Sequence, residues 1–255
     1  MFVGHALAAF AVVALLSRRR GAAPARALTV GAVAGLFATV PDVDIVYALV
    51  GVASGLAGDA GALALAAGVR RRTALSPRTT AVLALAGLVS HPFGDVFTGD
   101  PPALLYPFGP EVLTARVSLS ADPTLHLLGA FAVELATVWA AVVVRSRLRA
   151  ERDGRSAGRL GTAEGVDLRA IAGAGYAAGA FVIPAPTLDL SYPFVLSVLA
   201  VGAVGLVPVR LRRRGRAAVA PEFARPGAER ALFTGLTAVT LAGGAYLLTY
   251  LVGVA

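Results

Sequence analysis

The sequence predicts an all-α protein, a polytopic transmembrane bundle of about eight helices, with seven to nine as the range. Hydrophobic residues make up 57% of the 255 residues and charged residues only 15%, whereas roughly 25% of the residues in an average soluble domain are charged. Mean hydropathy is +0.75. Apolar stretches recur along the chain, while a membrane β-barrel would show alternating apolar and polar residues. We therefore expect a multi-pass protein of a cell membrane.

Arginine supplies all 23 basic residues, and 22 of them fall into four clusters beside apolar stretches. The clusters lie in residues 18–26, 70–78, 145–169 and 210–230. Such clusters are typical of cytoplasmic loops. A nucleic-acid surface is disfavoured, because no aromatic residues alternate with the arginines to stack on bases. The predicted partners are membrane lipids and not nucleic acid.

The N-terminal membrane region, residues 1–144, is predicted to hold five helices. Its first basic run follows the first apolar stretch, so residues 2–17 are predicted to be a retained helix and not a cleaved signal peptide. The other four helices are predicted at about 27–41, 44–69, 79–97 and 123–144. Pro41 ends the second helix, because proline has no amide hydrogen and disfavours helical geometry in the preceding residue. A Gly-rich stretch, residues 55–61, could break the third helix.

A basic cytoplasmic linker, residues 145–168, is predicted to separate this region from a C-terminal membrane region, residues 169–255. The C-terminal region is predicted to hold three helices, at about 169–186, 193–209 and 231–253. A loop that contains Arg and Pro separates the last two. The positions of the arginine clusters determine the direction in which each helix crosses the membrane. They place the loop of residues 98–122 on the non-cytoplasmic side.

Six ionisable residues fall at the predicted non-cytoplasmic ends of these segments. They are His5, Asp42, Asp44, His91, Asp95 and His126. The chain has no cysteine, so a metal would have to be held by histidines and carboxylates. All three histidines of the chain map to the same face of the membrane, which makes a shared site plausible.

His91 and Asp95 are four residues apart, a spacing that places two side chains on one helical face and lets them share a cation. Pro92 and Gly94 weaken the helix there, so the pair could instead lie in a turn or form a polar helix cap. Asp42 and Asp44 could face one metal in an extended or turn geometry, but not in a helix.

The other ionisable residues carry weaker signals. Asp42 or Asp44 could simply cap the third helix. His5 and His126, each taken alone, are typical of interfacial or packed histidines. Asp59 and Glu134 lie deeper in their helices, where they could be buried partners or proton carriers.

Three motifs resemble those of a known family, the bacterial and archaeal inner-membrane proteins described as membrane-bound metal-dependent hydrolases of the LexA-regulated type. The motifs are Gly4-His5, Pro41-Asp42-Val43-Asp44, and His91-Pro92-Phe93-Gly94-Asp95 followed by Thr98 and Leu105-Tyr106-Pro107-Phe108. The resemblance covers about residues 1–110 and implies hydrolysis. Family members often carry a His-Arg-Gly-x-Thr-His-Ser segment between the acidic motifs. The nearest match here, residues 70–76, lacks both histidines and falls on the predicted cytoplasmic side.

The motifs and the topology together predict a metal site at the non-cytoplasmic face. His5, His91 and one or more of Asp42, Asp44 and Asp95 would hold a divalent ion, zinc or a similar one. A remaining carboxylate would act as general base on a bound water. The expected substrate is an amphiphilic or lipid-linked ester or phosphoester. Two alternatives stay open: an ion or solute transporter, which would carry polar groups across the full depth of the membrane, and a non-catalytic membrane scaffold.

Overall fold

The computed structural model describes residues 3–41, 54–97, 116–154, 166–207, 209–211, 222–224 and 227–253. Side chains are not described for residues 54–60, 93–95, 209–211 and 222–224. The chain divides into two compact units. Unit 1 consists of Met1–Leu119 and Gly129–Ala157, and unit 2 of Ser120–Leu128 and Gly158–Ala255. The assignment of membrane regions and of a cytoplasmic linker stays a prediction.

The described part of the chain is mainly helical, which confirms the predicted all-α class. Its α-helices are α1 (Gly4–Arg19), α2 (Pro24–Ala38), α3 (Ser54–Arg72), α4 (Pro77–Asp95), α5 (Pro123–Arg152), α6 (Tyr192–Val201) and α7 (Ala228–Leu251). A long 3₁₀ helix, Leu168–Phe181, precedes α6, and a short one, Gly202–Leu206, extends it. Each predicted helix has a counterpart within a few residues, apart from the end of the fifth and the start of the third, where residues 42–53 lie outside the description.

Local sequence explains the helix boundaries in unit 1. α2 begins at Pro24, because proline at the first helical position gives up no hydrogen bond. α4 begins after Ser76, whose Oγ accepts a hydrogen bond from the Thr79 amide at 3.2 Å. α3 runs unbroken through the Gly-rich stretch of residues 55–61, so that stretch does not break the helix.

The fifth helix is longer than predicted. Residues 145–152 were assigned to the linker, but α5 continues through them to Arg152. These residues are Arg, Ser, Leu, Ala and Glu, most of which are good helix formers, and the segment contains neither Gly nor Pro. The arginines indicated the predicted end of the apolar span, but they do not end the helix.

Unit 2 departs further from the predicted elements. The sixth helix is a 3₁₀ helix that ends at Phe181, short of the predicted residue 186, because Pro184 and Pro186 cannot continue a helix. The loop before α7 contains a small antiparallel ladder between β1 (Val209–Leu211) and β2 (Glu222–Ala224), which the sequence analysis did not predict.

Small residues let α1, α2 and α4 approach closely. Gly31 and Gly35 lie four residues apart on α2, and a Cβ atom added at either would lie 2.8 Å from a carbonyl oxygen of α1. A Cβ atom at Gly87 of α4 would overlap the Ala34 carbonyl oxygen and lie 2.6 Å from Cβ of Phe37, which is fully buried. Such small-residue contacts are typical of helix packing in membranes. They fix α2 between α1 and α4.

Two of the described helices are long and apolar enough to cross a membrane. They are Pro123–Arg152, in which an 18-residue window has a mean hydropathy of 2.2, and Ala228–Leu251, in which such a window reaches 1.6. Other apolar helices are shorter. α1 and α2 have 16 and 15 residues, about 24 and 22 Å, against a hydrocarbon core of roughly 30 Å.

Candidate metal centre

Two of the predicted ligands, His5 and His91, lie in contact. His5 is in the first turn of α1 and His91 in the last turns of α4, and both helices pack against α2. Their ring centroids are 4.6 Å apart and the ring planes are inclined by 77°. His5 is only 2% exposed, and His91 is partly buried. The close packing of three helices thus brings together two imidazoles that are far apart in sequence.

A backbone carbonyl at the end of α2 orients His91. Its Nδ1 lies 3.2 Å from the carbonyl oxygen of Ala38, the last residue of α2. A carbonyl oxygen only accepts, so Nδ1 donates the hydrogen. In the neutral imidazole the lone pair is then on Nε2. Histidines that bind metals almost always donate their other ring N–H to such a carbonyl or to a carboxylate, which fixes the ring and its tautomer.

The imidazole pair fits a shared metal ion. Two imidazoles bound to one tetrahedral zinc at about 2.0–2.1 Å place their ring centroids roughly 5 Å apart, close to the observed 4.6 Å. Two histidines alone do not complete a zinc site, which needs at least three protein ligands. No group of three or more His, Asp or Glu able to hold a metal occurs among the residues that the structure describes.

The predicted carboxylate ligands lie outside that description. Asp42 and Asp44 fall in residues 42–53, and Asp42 directly follows Pro41, the last described residue after α2. Asp95 is the last residue of α4, four positions after His91 on the same helix, but its side chain is not described. His91 and Asp95 therefore share a helix and not a turn. Whether the carboxylates reach the imidazoles stays a prediction.

Glu134 has a role that the sequence did not specify. This residue lies in the interior of α5, and its Oε1 is 3.3 Å from the amide nitrogens of both Val3 and Gly4. Those amides begin α1 and have no partner within the helix. The carboxylate also opposes the positive end of the helix dipole. Glu134 therefore fixes the start of α1 one residue before His5. A single acidic residue within an apolar helix was the only signal for it.

His126 belongs to unit 2 and is buried, with 5% of its surface exposed. The structure brings His5 and His91 together within unit 1. Asp59 lies in α3, where its side chain is outside the description. The Ala38 carbonyl was not predicted as a partner of the site, because every residue has a backbone carbonyl and the sequence does not show which one will be used.

Comparison with known families decides what kind of protein this is. The family model described as YdjM inner membrane protein matches residues 1–151, which include α1 to α4 and nearly all of α5. The chain belongs to the YdjM inner membrane protein family. Its membrane character, predicted from composition, is thereby confirmed. No curated protein and no solved structure matches the chain.

The family match covers both histidines of the contact pair, the predicted carboxylates and Glu134. It stops at the end of α5, so most of unit 2 lies beyond it. The matched description refers to the membrane and not to a reaction. Membership in this family therefore supports the location of the protein, while hydrolysis and metal binding depend on the site itself.

Proposed function

We propose that this protein is a multi-pass membrane hydrolase that uses a divalent metal, zinc or a similar ion, at its non-cytoplasmic face. The observation that carries the proposal is the contact between His5 and His91, with the His91 ring held by the Ala38 carbonyl. An imidazole pair in which a carbonyl binds the far nitrogen of His91 matches the arrangement of histidine metal ligands.

In this proposal His5 and His91 hold the ion together with one or more of Asp42, Asp44 and Asp95. The bound ion would polarise the substrate and lower the pKa of a bound water toward about 7. A carboxylate that does not bind the ion, Asp42 or Asp44, would accept the proton of the attacking water. The Ala38 carbonyl keeps the His91 ring in one orientation throughout.

Polar contacts within each unit support the predicted topology. In unit 1, Arg18 at the end of α1 pairs with Glu151 near the end of α5 at 2.7 Å, and the topology places both ends inside. In unit 2, the Tyr250 hydroxyl donates to Asp122 at 2.9 Å, and the topology places both residues outside. Each contact joins helix ends that are predicted to lie on the same side of the membrane.

The lengths of the helices favour a recessed site. α1 and α2 are shorter than the hydrocarbon core, and both of their predicted outer ends contribute to the site, through His5 and the Ala38 carbonyl. The contact with Glu134 places the start of α1 beside the interior of α5. A site below the headgroup level favours a substrate that itself lies in the bilayer, an amphiphilic or lipid-linked ester or phosphoester.

The transporter alternative draws less support. It needs ionisable groups along the depth of the membrane, and its two candidates are Asp59 and Glu134. The Glu134 carboxylate is already engaged by the amides that begin α1, which is a structural use. A scaffold would need neither the imidazole pair nor its carbonyl partner.

Metal analysis of the purified protein tests the proposal. We expect about one equivalent of bound metal per chain, lost in His91→Ala and retained in His126→Ala. His126 is a matched control, because it is also a buried histidine but belongs to unit 2. Circular dichroism confirms that both variants are folded. A protein that neither retains metal nor binds added zinc, or a His91→Ala variant that binds it normally, would contradict the proposal.

A labelling experiment tests the orientation. Because the chain has no cysteine, Ser120→Cys and Ser156→Cys can each be treated in intact cells with a thiol reagent that does not cross membranes. We expect labelling at position 120 and not at 156. The reverse pattern would invert the topology and place the site on the cytoplasmic side.

A further inference from the structure

Unit 1 contains a second feature, separate from the imidazole pair, beside the C-terminal end of α5. It is an open groove of about 500 Å³ between α1, α2 and α5. Its apolar wall comes from Phe10, Leu28 and Ala32, and its other wall from three arginines of α5, Arg145, Arg149 and Arg152. The three arginines are spaced by four and three residues, so they lie along one helical face.

The walls of the groove are held in place by the core of the unit. Val144 and Leu148 of α5 are buried against Ala11, Ala14 and Ala27 of α1 and α2. Arg145 and Arg149, which directly follow these two core residues in α5, are therefore fixed relative to the apolar wall. Arg18 pairs with Glu151 nearby, which further ties α1 to this part of α5. The groove is thus a built surface and not a gap beside a loose helix.

The charge in the groove is unbalanced. Among the residues that the structure describes, no acidic residue lines it. Arg152 pairs with its neighbour Asp153 at 3.1 Å, but Arg145 and Arg149 have no acidic neighbour in the lining. A groove with an apolar wall and facing guanidinium groups is complementary to a molecule with an acyl chain and an anionic head. Arginines suit phosphates in particular, because the guanidinium donates two parallel hydrogen bonds.

We propose that this groove binds an anionic phospholipid, with its phosphodiester head at Arg145 and Arg149 and an acyl chain along Phe10, Leu28 and Ala32. The apolar wall favours a lipid over a free anion or a nucleic acid, which would leave that wall exposed. Basic pockets between helices at the cytoplasmic boundary are suited to such lipids. The proposal depends on the residence of the protein in a membrane and is independent of hydrolysis.

Native mass spectrometry of the full-length protein in a neutral detergent measures the binding. The probes are phosphatidylglycerol and phosphatidylcholine with identical dioleoyl chains, and inorganic phosphate. We expect phosphatidylglycerol to bind at least ~10-fold more tightly than phosphatidylcholine, and the double variant Arg145→Gln/Arg149→Gln to lose this preference. Arg147→Gln is the matched control, because Arg147 is an exposed arginine of the same helix that does not line the groove.

A second variant separates the groove from general surface charge. Ala32→Trp keeps all the arginines but fills the apolar wall, and we expect it to weaken phosphatidylglycerol binding, whereas Val12→Trp, at an exposed position outside the groove, should not. Equal binding of the two lipids, equal losses in Arg147→Gln, or phosphate binding as tight as lipid binding would each overturn the proposal. Metal content, measured on the same samples, should remain unchanged, so a failure here does not affect the proposed hydrolase.

Discussion

Unit 1 and unit 2 are both apolar and helical, but they use their polar groups differently. In unit 2 two carboxylates close helix ends: Asp122 accepts from the Leu125 amide at 2.8 Å, and Asp167 accepts from the Arg169 amide at 3.1 Å. In unit 1, His5 and His91 meet at the ends of two helices, beside the carbonyl that ends a third.

The difference shows which polar residues need a chemical explanation. A carboxylate that caps a helix satisfies amides that would otherwise lack partners, so its presence is explained by stability alone. The two imidazoles of unit 1 instead lie against each other between helices, and burying polar groups costs free energy. Unit 1, which the family match covers, is therefore where function is expected.

The largest expected effect contrasts one carboxylate in each unit. Asp42→Asn should lower hydrolysis by about 10²–10⁴-fold, since it removes either ligand charge or the general base. Asp189→Asn, at an exposed position in unit 2, should leave the rate unchanged. The assay is a panel of ester and phosphoester lipids with and without a chelator.

Two outcomes would count against this contrast. The first is hydrolysis that the chelator does not affect, because the ion would then not take part. The second is an equal loss of rate in both variants. Ion flux in liposomes that depends on Asp59, without hydrolysis, would favour a transporter instead.

A close contact in each unit gives the next largest effect. Gly87→Leu should lower the free energy of unfolding by about 1–3 kcal/mol, because its side chain would meet Ala34 and Phe37. It should also reduce metal binding, since it moves α4 away from α2. Gly235→Leu in unit 2, where a Cβ atom would lie 2.5 Å from the Gly202 carbonyl oxygen, should destabilise the protein but leave metal binding intact.

Both effects can be read from denaturation followed by circular dichroism and from metal content. Gly68→Leu serves as the control, because no atom lies within 4 Å of a Cβ atom there. If Gly235→Leu lost as much metal as Gly87→Leu, the result would contradict the prediction that metal binding depends on packing in unit 1 and not in unit 2.

A smaller effect concerns the cap at Asp167 in unit 2. Hydrogen bonds from the Arg169 amide and side chain, with the charge of Arg230, hold the pKa of Asp167 below its ordinary value of 3.8. A lowered pKa in the folded state means that the contribution to stability is complete above the unfolded pKa and is lost as the pH falls through the folded pKa. Asp167→Ala should therefore cost about 1 kcal/mol at pH 7, and this cost should shrink below about pH 4.

Thermal unfolding of the wild type and of Asp167→Ala at a series of pH values provides the measurement. Metal content should be equal in the two proteins throughout the range in which metal binds. A stability difference that grows as the pH falls would refute the assigned role of the carboxylate.

The smallest effect is at the contact between Asp122 and Tyr250. The pKa of Asp122 is lowered first by the Leu125 amide and next by the Tyr250 hydroxyl. Tyr250→Phe removes the second donor, so the pKa of Asp122 should rise toward its ordinary value, and the loss of stability in acid should become smaller and be complete at a higher pH. Tyr192→Phe, at a position that is 72% exposed, should leave the acid limb of the stability profile in place.

The sequence by itself determined the helical membrane character and most helix positions. Apolar stretches in a membrane must satisfy their own backbone hydrogen bonds, so helices follow from hydropathy. Local signals for the start and the end of a helix also act within a few residues: Pro24 begins α2, and Pro184 follows the end of the 3₁₀ helix. Arginine clusters mark the ends of apolar spans, but they did not mark the end of α5, because arginine itself favours a helix.

Only the tertiary structure decided which helix ends meet. Gly31, Gly35 and Gly87 let three helices approach closely, and that approach brings His5 against His91. The sequence predicted both histidines as ligands. The carbonyl that orients His91 and the amides that Glu134 binds could not be predicted in this way, because they are backbone groups. Their use depends on the distance between segments far apart in the chain, and packing sets that distance.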